Sequence, residues 1–202
     1  WTSPGRRLDA GSPDRGLRRF RVSGRAPALS AVSKTMDTRK ICILGDFGVG
    51  KTSLVGRFVR NEFSDKYHTS IGVKVDTKEV VAPDGRPLKL AIWDIAGTDT
   101  PTELFLRYLR GSAGCLLVAD GTRRETLERA LQLRDAVRSQ LSAMPFVGLV
   151  NKSDLAGEQE IQDTRLSALR AEGETWLRSS ARSGVNVEQA FDLLMQAIEA
   201  GE

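Results

Sequence analysis

The sequence predicts an α/β domain built on a mostly parallel sheet, and three observations carry that expectation. Short continuous apolar runs recur at residues 41–44, 115–119 and 146–150, as strands covered on both faces require. Elsewhere apolar residues fall at helical spacing: Leu127, Ala130, Leu131, Val137 and Leu141, then Val187, Ala190, Phe191, Leu194 and Ile198. The two kinds of segment alternate along the chain, which implies parallel strands joined by helical crossovers.

The 202 residues suit one domain with a substantial core. Residues 1–35 stand apart from it. They are rich in Arg, Gly, Ser and Pro, carry eight basic and two acidic side chains, and hold no sustained period. They read as a disordered basic segment. The chain opens on Trp1 and the domain pattern starts just after Met36, so the segment reads as lying upstream of a natural start rather than as an arm for an anionic surface. Without it, 22 basic and 24 acidic residues remain of the 30 and 26 in the chain. A near-neutral domain over 36–202 has no nucleic-acid footprint. No apolar run approaches the ~18 residues of a membrane span, and no signal-peptide pattern opens the chain. Cys42 and Cys115 lie inside apolar runs and read as buried reduced thiols, which suits a cytoplasmic protein.

The elements follow in order. The run at 41–44 is a buried parallel strand. It stops at Gly45-Asp46-Phe47-Gly48-Val49-Gly50-Lys51-Thr52, and a helix-like segment runs from there to residue 60. Val73, Val75, Thr77, Glu79 and Val81 share one parity, while Lys74, Asp76 and Lys78 take the other: a strand with one wetter face. Pro83-Asp84-Gly85 is a tight turn, so Leu88, Leu90 and Ile92 return as its antiparallel partner, ending near Asp94. The runs at 115–119 and 146–150 are two more strands, with the 127–141 helix between them. Trp176 and Leu177 lie in a short last strand, and the 187–198 stripe closes the domain.

The stretch from Gly45 to Thr52 matches G-x-x-x-x-G-K-[ST] between a strand and a helix. Such a turn exposes a ring of backbone N–H groups beside the positive end of a helix dipole, so it holds polyphosphate with little side-chain help. Lys51 reaches the β- and γ-phosphates in such a loop, and the Thr52 hydroxyl ligates Mg²⁺. The fold implied is the P-loop NTPase fold: a mostly parallel six-stranded sheet, one antiparallel edge strand, helices on both faces. Ligands of open α/β sheets lie beyond the carboxyl ends of the strands, so each strand end is a checkpoint. Trp93-Asp94-Ile95-Ala96-Gly97 puts a carboxylate where a Mg²⁺ water ligand belongs and a glycine amide near a γ-phosphate. Asn151-Lys152-Ser153-Asp154 and Ser179-Ser180-Ala181 end two further strands.

With these motifs on the page, residues 39–200 resemble a small GTPase of the Ras superfamily, nearest its Rab and Ras-like branches. The resemblance implies GTP or GDP with Mg²⁺ as ligands. It assigns Phe47, Gly48, Val49, Gly50, Lys51, Thr52 and Ser53 to the phosphates, and Thr52, Ser70 and Asp94 to the metal. Asp154 accepts from the guanine N1–H and exocyclic amine, Asn151 braces the loop, and Lys152 packs over the ring. An adenine would leave that carboxylate facing an acceptor and no amine. Ala181, flanked by Ser180 and Arg182, matches the position whose amide contacts the guanine O6. Phe63 matches the aromatic that stacks on the base.

Three departures, at Ser70, Thr98 and Phe47, bear on catalysis, and a fourth, at Pro101, on effector contacts. Ser70 stands in Ser70-Ile71-Gly72 where Rab-like members read Thr-Ile-Gly; it keeps the hydroxyl for Mg²⁺ and the backbone for the γ-phosphate. Thr98, next to Gly97, stands where the family usually places the Gln that orients the attacking water. Threonine is too short to hold both the water and a γ-phosphate oxygen, so slow intrinsic hydrolysis is expected with Thr98, Lys51 and Gly97 as the catalytic set. Rap-like members also carry Thr there and turn over with a partner's help. Phe47 replaces a small residue and can obstruct an arginine finger or fold away over the loop. Pro101 replaces an aromatic in the second switch. His68, Arg107 and Arg110 read as solvated rim residues. The resemblance implies effectors, exchange factors and activating proteins engaging residues about 64–75 and 96–110 of a monomer. With no cysteine near residue 202, no lipid anchor is expected on this chain as given.

Overall fold

The computed structural model describes residues 36–64, 72–97, 103–141 and 144–201. The N-terminal segment, His68, Ser70, Thr98 and Pro101 lie outside them. Strands β1 (Asp37–Gly45), β2 (Val73–Val81), β3 (Pro87–Ile95), β4 (Gly114–Asp120), β5 (Phe146–Asn151) and β6 (Trp176–Arg178) form one sheet. Its order is β2-β3-β1-β4-β5-β6. β2 pairs antiparallel with β3, and every other pairing is parallel. This is the six-stranded α/β arrangement with one antiparallel edge that the sequence predicts.

Helices α1 (Lys51–Arg60) and α5 (Val187–Ala200) cover one face, and α2 (Glu103–Leu109), α3 (Glu125–Gln140) and α4 (Asp163–Ala171) the other. Alternation along the central strands feeds two cores. Ile41, Ile43, Leu116, Val118, Val147 and Leu149 pack with Leu54, Phe58, Phe191 and Leu194. Cys42, Leu44, Cys115, Leu117, Ala119 and Val150 pack with Leu109, Leu127, Leu131 and Leu166. β4 is buried along its whole length, as a central strand covered on both faces must be. Both cysteines are free and buried, and burial raises the pKa of each thiol, so neither is a ready thiolate.

One expectation reverses. On β2 most of the apolar parity faces out: Val75 is 49% exposed and Val81 68%, and only Val73 packs on the second core. Asp76, Lys78 and Val80 turn inward instead. The reason lies in α1. The Lys78 ammonium donates to the Phe58 carbonyl at 2.6 Å, sits 3.7 Å over the Phe58 ring centroid and pairs with Glu188 at 2.9 Å. Asp76 takes Arg60 at 2.6 Å. Charged side chains with long apolar stems cover the helix end and keep their heads paired, so alternation gave the period of β2 but not its sense.

The carboxyl ends of the inner strands are level with one another. Ile43 is in register with Asp94, Gly45 with Val118, Asp120 with Asn151 and Val150 with Arg178. Every strand-end motif therefore opens onto the same edge of the domain.

Candidate functional site

A cleft of about 650 Å³ lies on that edge. Its walls include Phe47, Gly48, Gly50, Lys51, Thr52, Ser53, Phe63, Gly97, Asn151, Lys152, Asp154, Ala181 and Arg182. The sequence placed these residues in one site, and the fold brings them together. Val49 is fully buried behind the loop rather than in the wall. Ser180 is likewise buried and acts through its neighbours.

The loop from Gly45 to Thr52 is held from several directions. The Lys51 ammonium, only 6% exposed, donates to the Gly45 carbonyl at 3.0 Å and the Asp46 carbonyl at 2.8 Å. Burial lowers its pKa to about 8, while Asp94 and Asp46 oppose that shift. Asp46 Oδ1 accepts from the Phe47 amide. Gly50 has φ 97°, and a Cβ there would stand 2.4 Å from Asn151 Nδ2. Only glycine meets both demands. Gly97 is confined by space instead: its Cβ would meet the Phe47 amide nitrogen at 2.6 Å. Gly97, two residues beyond β3, thus lies directly on the loop from Gly45 to Thr52.

The metal corner fits the ion. The Thr52 hydroxyl donates to Asp94 Oδ2 at 2.5 Å. The other oxygen, Asp94 Oδ1, is buried and has no hydrogen-bond partner among the described residues. A buried carboxylate oxygen left unmatched beside a hydroxyl is a hard-oxygen donor set of the kind Mg²⁺ takes. Burial raises the Asp94 pKa, with Thr52 and Lys51 pulling the other way.

The base-side loops are tied to the phosphate loop through one side chain. Asn151, 2% exposed, donates from Nδ2 to the Val49 carbonyl at 2.9 Å. Its Oδ1 accepts from the Ala181 amide at 3.1 Å. The amide that the resemblance offers to guanine O6 therefore has Asn151 as its partner here. Asp154 Oδ1 accepts from the Ser180 hydroxyl at 2.6 Å, and that hydroxyl in turn accepts from the Ser183 amide. This fixes the carboxylate at the cleft wall. Arg57 on α1 donates to the Ala181 carbonyl at 2.9 Å and the Arg182 carbonyl at 2.7 Å, which pins the last loop from behind.

Two residues escaped the sequence reading. Asp120 ends β4 and is 1% exposed. It takes the Lys152 ammonium at 2.6 Å and Arg123 Nε at 3.1 Å on one oxygen, and the Thr122 amide and hydroxyl on the other. Burial pushes its pKa up, but Lys152, Thr122 and Arg123 outweigh it and hold the carboxyl below the usual carboxylate range. Lys152 has φ 65°, a left-handed conformation rare for a side-chain-bearing residue, and its ion pair to Asp120 holds it there. The strand-end rule could have flagged Asp120. Nothing in the sequence signals Arg123, whose other contact is the Phe47 carbonyl at 2.7 Å.

A phosphate cradle, a hydroxyl–carboxylate metal corner and a fixed carboxylate at the far wall define a nucleotide-binding α/β domain of the P-loop class. A family model described as the Ras family matches residues 40–200. The chain is 39% identical to Ras-related protein YPTC6 of Chlamydomonas reinhardtii over 79% of this chain and 74% of that protein. It is 37% identical to Ras-related protein RABA2b of Arabidopsis thaliana, over 79% and 75%. It is 34% identical to the Ypt/Rab-type GTPase avaA of Emericella nidulans, over 81% and 83%. The chain belongs to the Ras family as a Rab-like small GTPase. Members of that family bind GTP and GDP with Mg²⁺, and the donor set described above fits those ligands.

Proposed function

We propose that this protein is a guanine-nucleotide switch that binds GTP and GDP with Mg²⁺, hydrolyses GTP slowly at the β–γ bond, and signals through the ordering of residues about 64–75 and 96–110 to effector proteins. One observation carries the reading: Asn151 hydrogen-bonds the phosphate loop at Val49 and the last loop at Ala181, so the polyphosphate and base pockets form one rigid unit. In it Asp154 reads the guanine edge, with Lys152 and Phe63 at the ring. Gly48, Gly50, Lys51 and Ser53 hold phosphates. Thr52 and Asp94, with Ser70, hold the metal, which when bound neutralises charge on the phosphate oxygens. Gly97 couples the γ-phosphate to the second switch, a role supported by its close approach to Phe47. Exchange factors and activating proteins would engage the same segments.

Slow turnover rests on Thr98 in the water-orienting position. Phe47 favours a second reading: its side chain is 47% exposed at the cleft wall, where it can block a partner's arginine. A GTP-bound scaffold with negligible hydrolysis would carry the same cradle. Two measurements separate the readings. Nucleotide released from the purified protein should be mostly GDP for a switch and mostly GTP for a scaffold. Single-turnover hydrolysis of bound GTP should rise about tenfold or more in Thr98→Gln. A wild type and a Thr98→Gln variant that both retain GTP, with and without cell extract, would overturn the hydrolase reading.

A further inference from the structure

We propose that Arg123 is a positioning residue of the phosphate cradle, fixing the Phe47–Gly48 peptide so that the Gly48 N–H faces the β-phosphate. The inference rests on the nucleotide reading above and concerns how this chain builds the site. A cradle works only if its amides point inward, and its carbonyls then need donors. Those of Gly45 and Asp46 take Lys51, and that of Val49 takes Asn151. The Phe47 carbonyl takes Arg123 Nη2 at 2.7 Å.

That fourth bond has a specific consequence. No peptide among the described residues is cis, and in a trans peptide the carbonyl and the following N–H point in opposite directions. Arg123 is absent from the cleft wall that Gly48 lines. Holding the Phe47 oxygen from there turns the Gly48 N–H toward the cleft. The peptide needs holding because Gly48 has φ 72°. Turns flip cheaply where glycine follows the peptide, and a flipped peptide would present an oxygen to a phosphate.

The clamp is itself anchored. Arg123 Nε donates to Asp120 Oδ2 at 3.1 Å, and that buried carboxylate also holds Lys152 at 2.6 Å. The Arg123 side chain is 38% exposed, so its ion pair alone contributes little. Its planar fork reaches both acceptors at once, which a lysine ammonium does not match.

The test compares GDP with GMP, which keeps guanine, ribose and one phosphate but has no β-phosphate. With the full chain, Arg123→Ala should release fluorescent GDP about tenfold faster, the scale of one charge-assisted bond, while GMP affinity stays within about twofold. Arg123→Lys should fall between the two for GDP at wild-type Tm. Equal loss for GDP and GMP, or GDP release unchanged in Arg123→Ala while the wild type binds GDP, would sink the role of Arg123 and leave the nucleotide reading intact. A wild type that fails to bind GDP overturns both. If Arg123→Ala does not fold, Arg123→Lys decides, and wild-type GDP release in that variant refutes the clamp.

Discussion

Asp154 and Asn151 divide the base pocket between recognition and support, and their surroundings explain the division. Asp154 is exposed at the cleft with one oxygen on Ser180, so its substitution should cost binding and leave the fold alone. Asp154→Asn keeps the shape but turns a double acceptor into a mixed group. Two charged hydrogen bonds at about 1.5–3 kcal/mol each put the loss of GDP affinity on the order of a hundredfold or more, with Tm within about 2 °C of wild type. Isothermal titration and a thermal scan check both halves. Asn151 is buried and joins two loops, so the opposite pattern is expected. Asn151→Ala orphans the Val49 carbonyl and the Ala181 amide and should cost about 2–4 kcal/mol in urea unfolding, with an unchanged m-value.

At the level of elements, legibility in the sequence followed a physical rule. Strands ending in a polar motif were readable because the motif and the strand confirm each other: residues 41–44 before Gly45, 146–150 before Asn151. Helices α3 and α5 were readable because each lays down a long apolar stripe. α4 was not, since it buries only Leu166 and Leu169, and two apolar residues do not make a period. β2 showed its period but hid its sense, because Lys78 and Asp76 face α1 in place of valines. Arg123 was invisible for another reason: its acceptor is a backbone oxygen 76 residues away, and a carbonyl leaves no mark in a sequence. The placement of β6 depends on a further buried contact. Glu174, 8% exposed, takes Arg134 at 2.7 Å, Arg138 at 3.1 Å and the Trp176 indole N–H at 2.9 Å. Glu174→Ala leaves the Trp176 indole N–H unmatched and takes from the mostly buried Arg134 guanidinium one of its two carboxylate partners, Asp135 being the other. A loss of about 3 kcal/mol in chemical denaturation is expected, with the preference for GDP over ADP kept.

Over the whole molecule, acid should unfold the domain partly through Asp120. Its carboxyl is held below the ordinary carboxylate range because Lys152, Thr122 and Arg123 outweigh the cost of burial. The folded state therefore binds that proton more weakly than the unfolded chain. Its contribution to stability is complete above the unfolded pKa and is lost as pH falls through the folded one, a window below about pH 4. Tm measured from pH 6 downward should fall more steeply for the wild type than for Asp120→Asn in that window, and the two slopes should match above it. Parallel curves throughout would refute the assignment. The same carboxylate touches both the Phe47 clamp and Lys152, so nucleotide release should quicken over the same acid range.

The outward valines of β2 carry one more consequence, for the protein in concentrated solution. β2 is the outermost strand of the sheet among the described residues, hydrogen-bonded on one side to β3, and Val75 and Val81 are exposed on its outer face. A strand of that kind is a template for pairing with a copy of itself. Glu79 stands between the two valines on the same face and acts as a gatekeeper. In self-pairing that brought two copies of Glu79 together, like charges would meet. Glu79→Val would remove that repulsion and should raise self-association in light scattering at high protein concentration, with nucleotide binding, far from this rim, left unchanged.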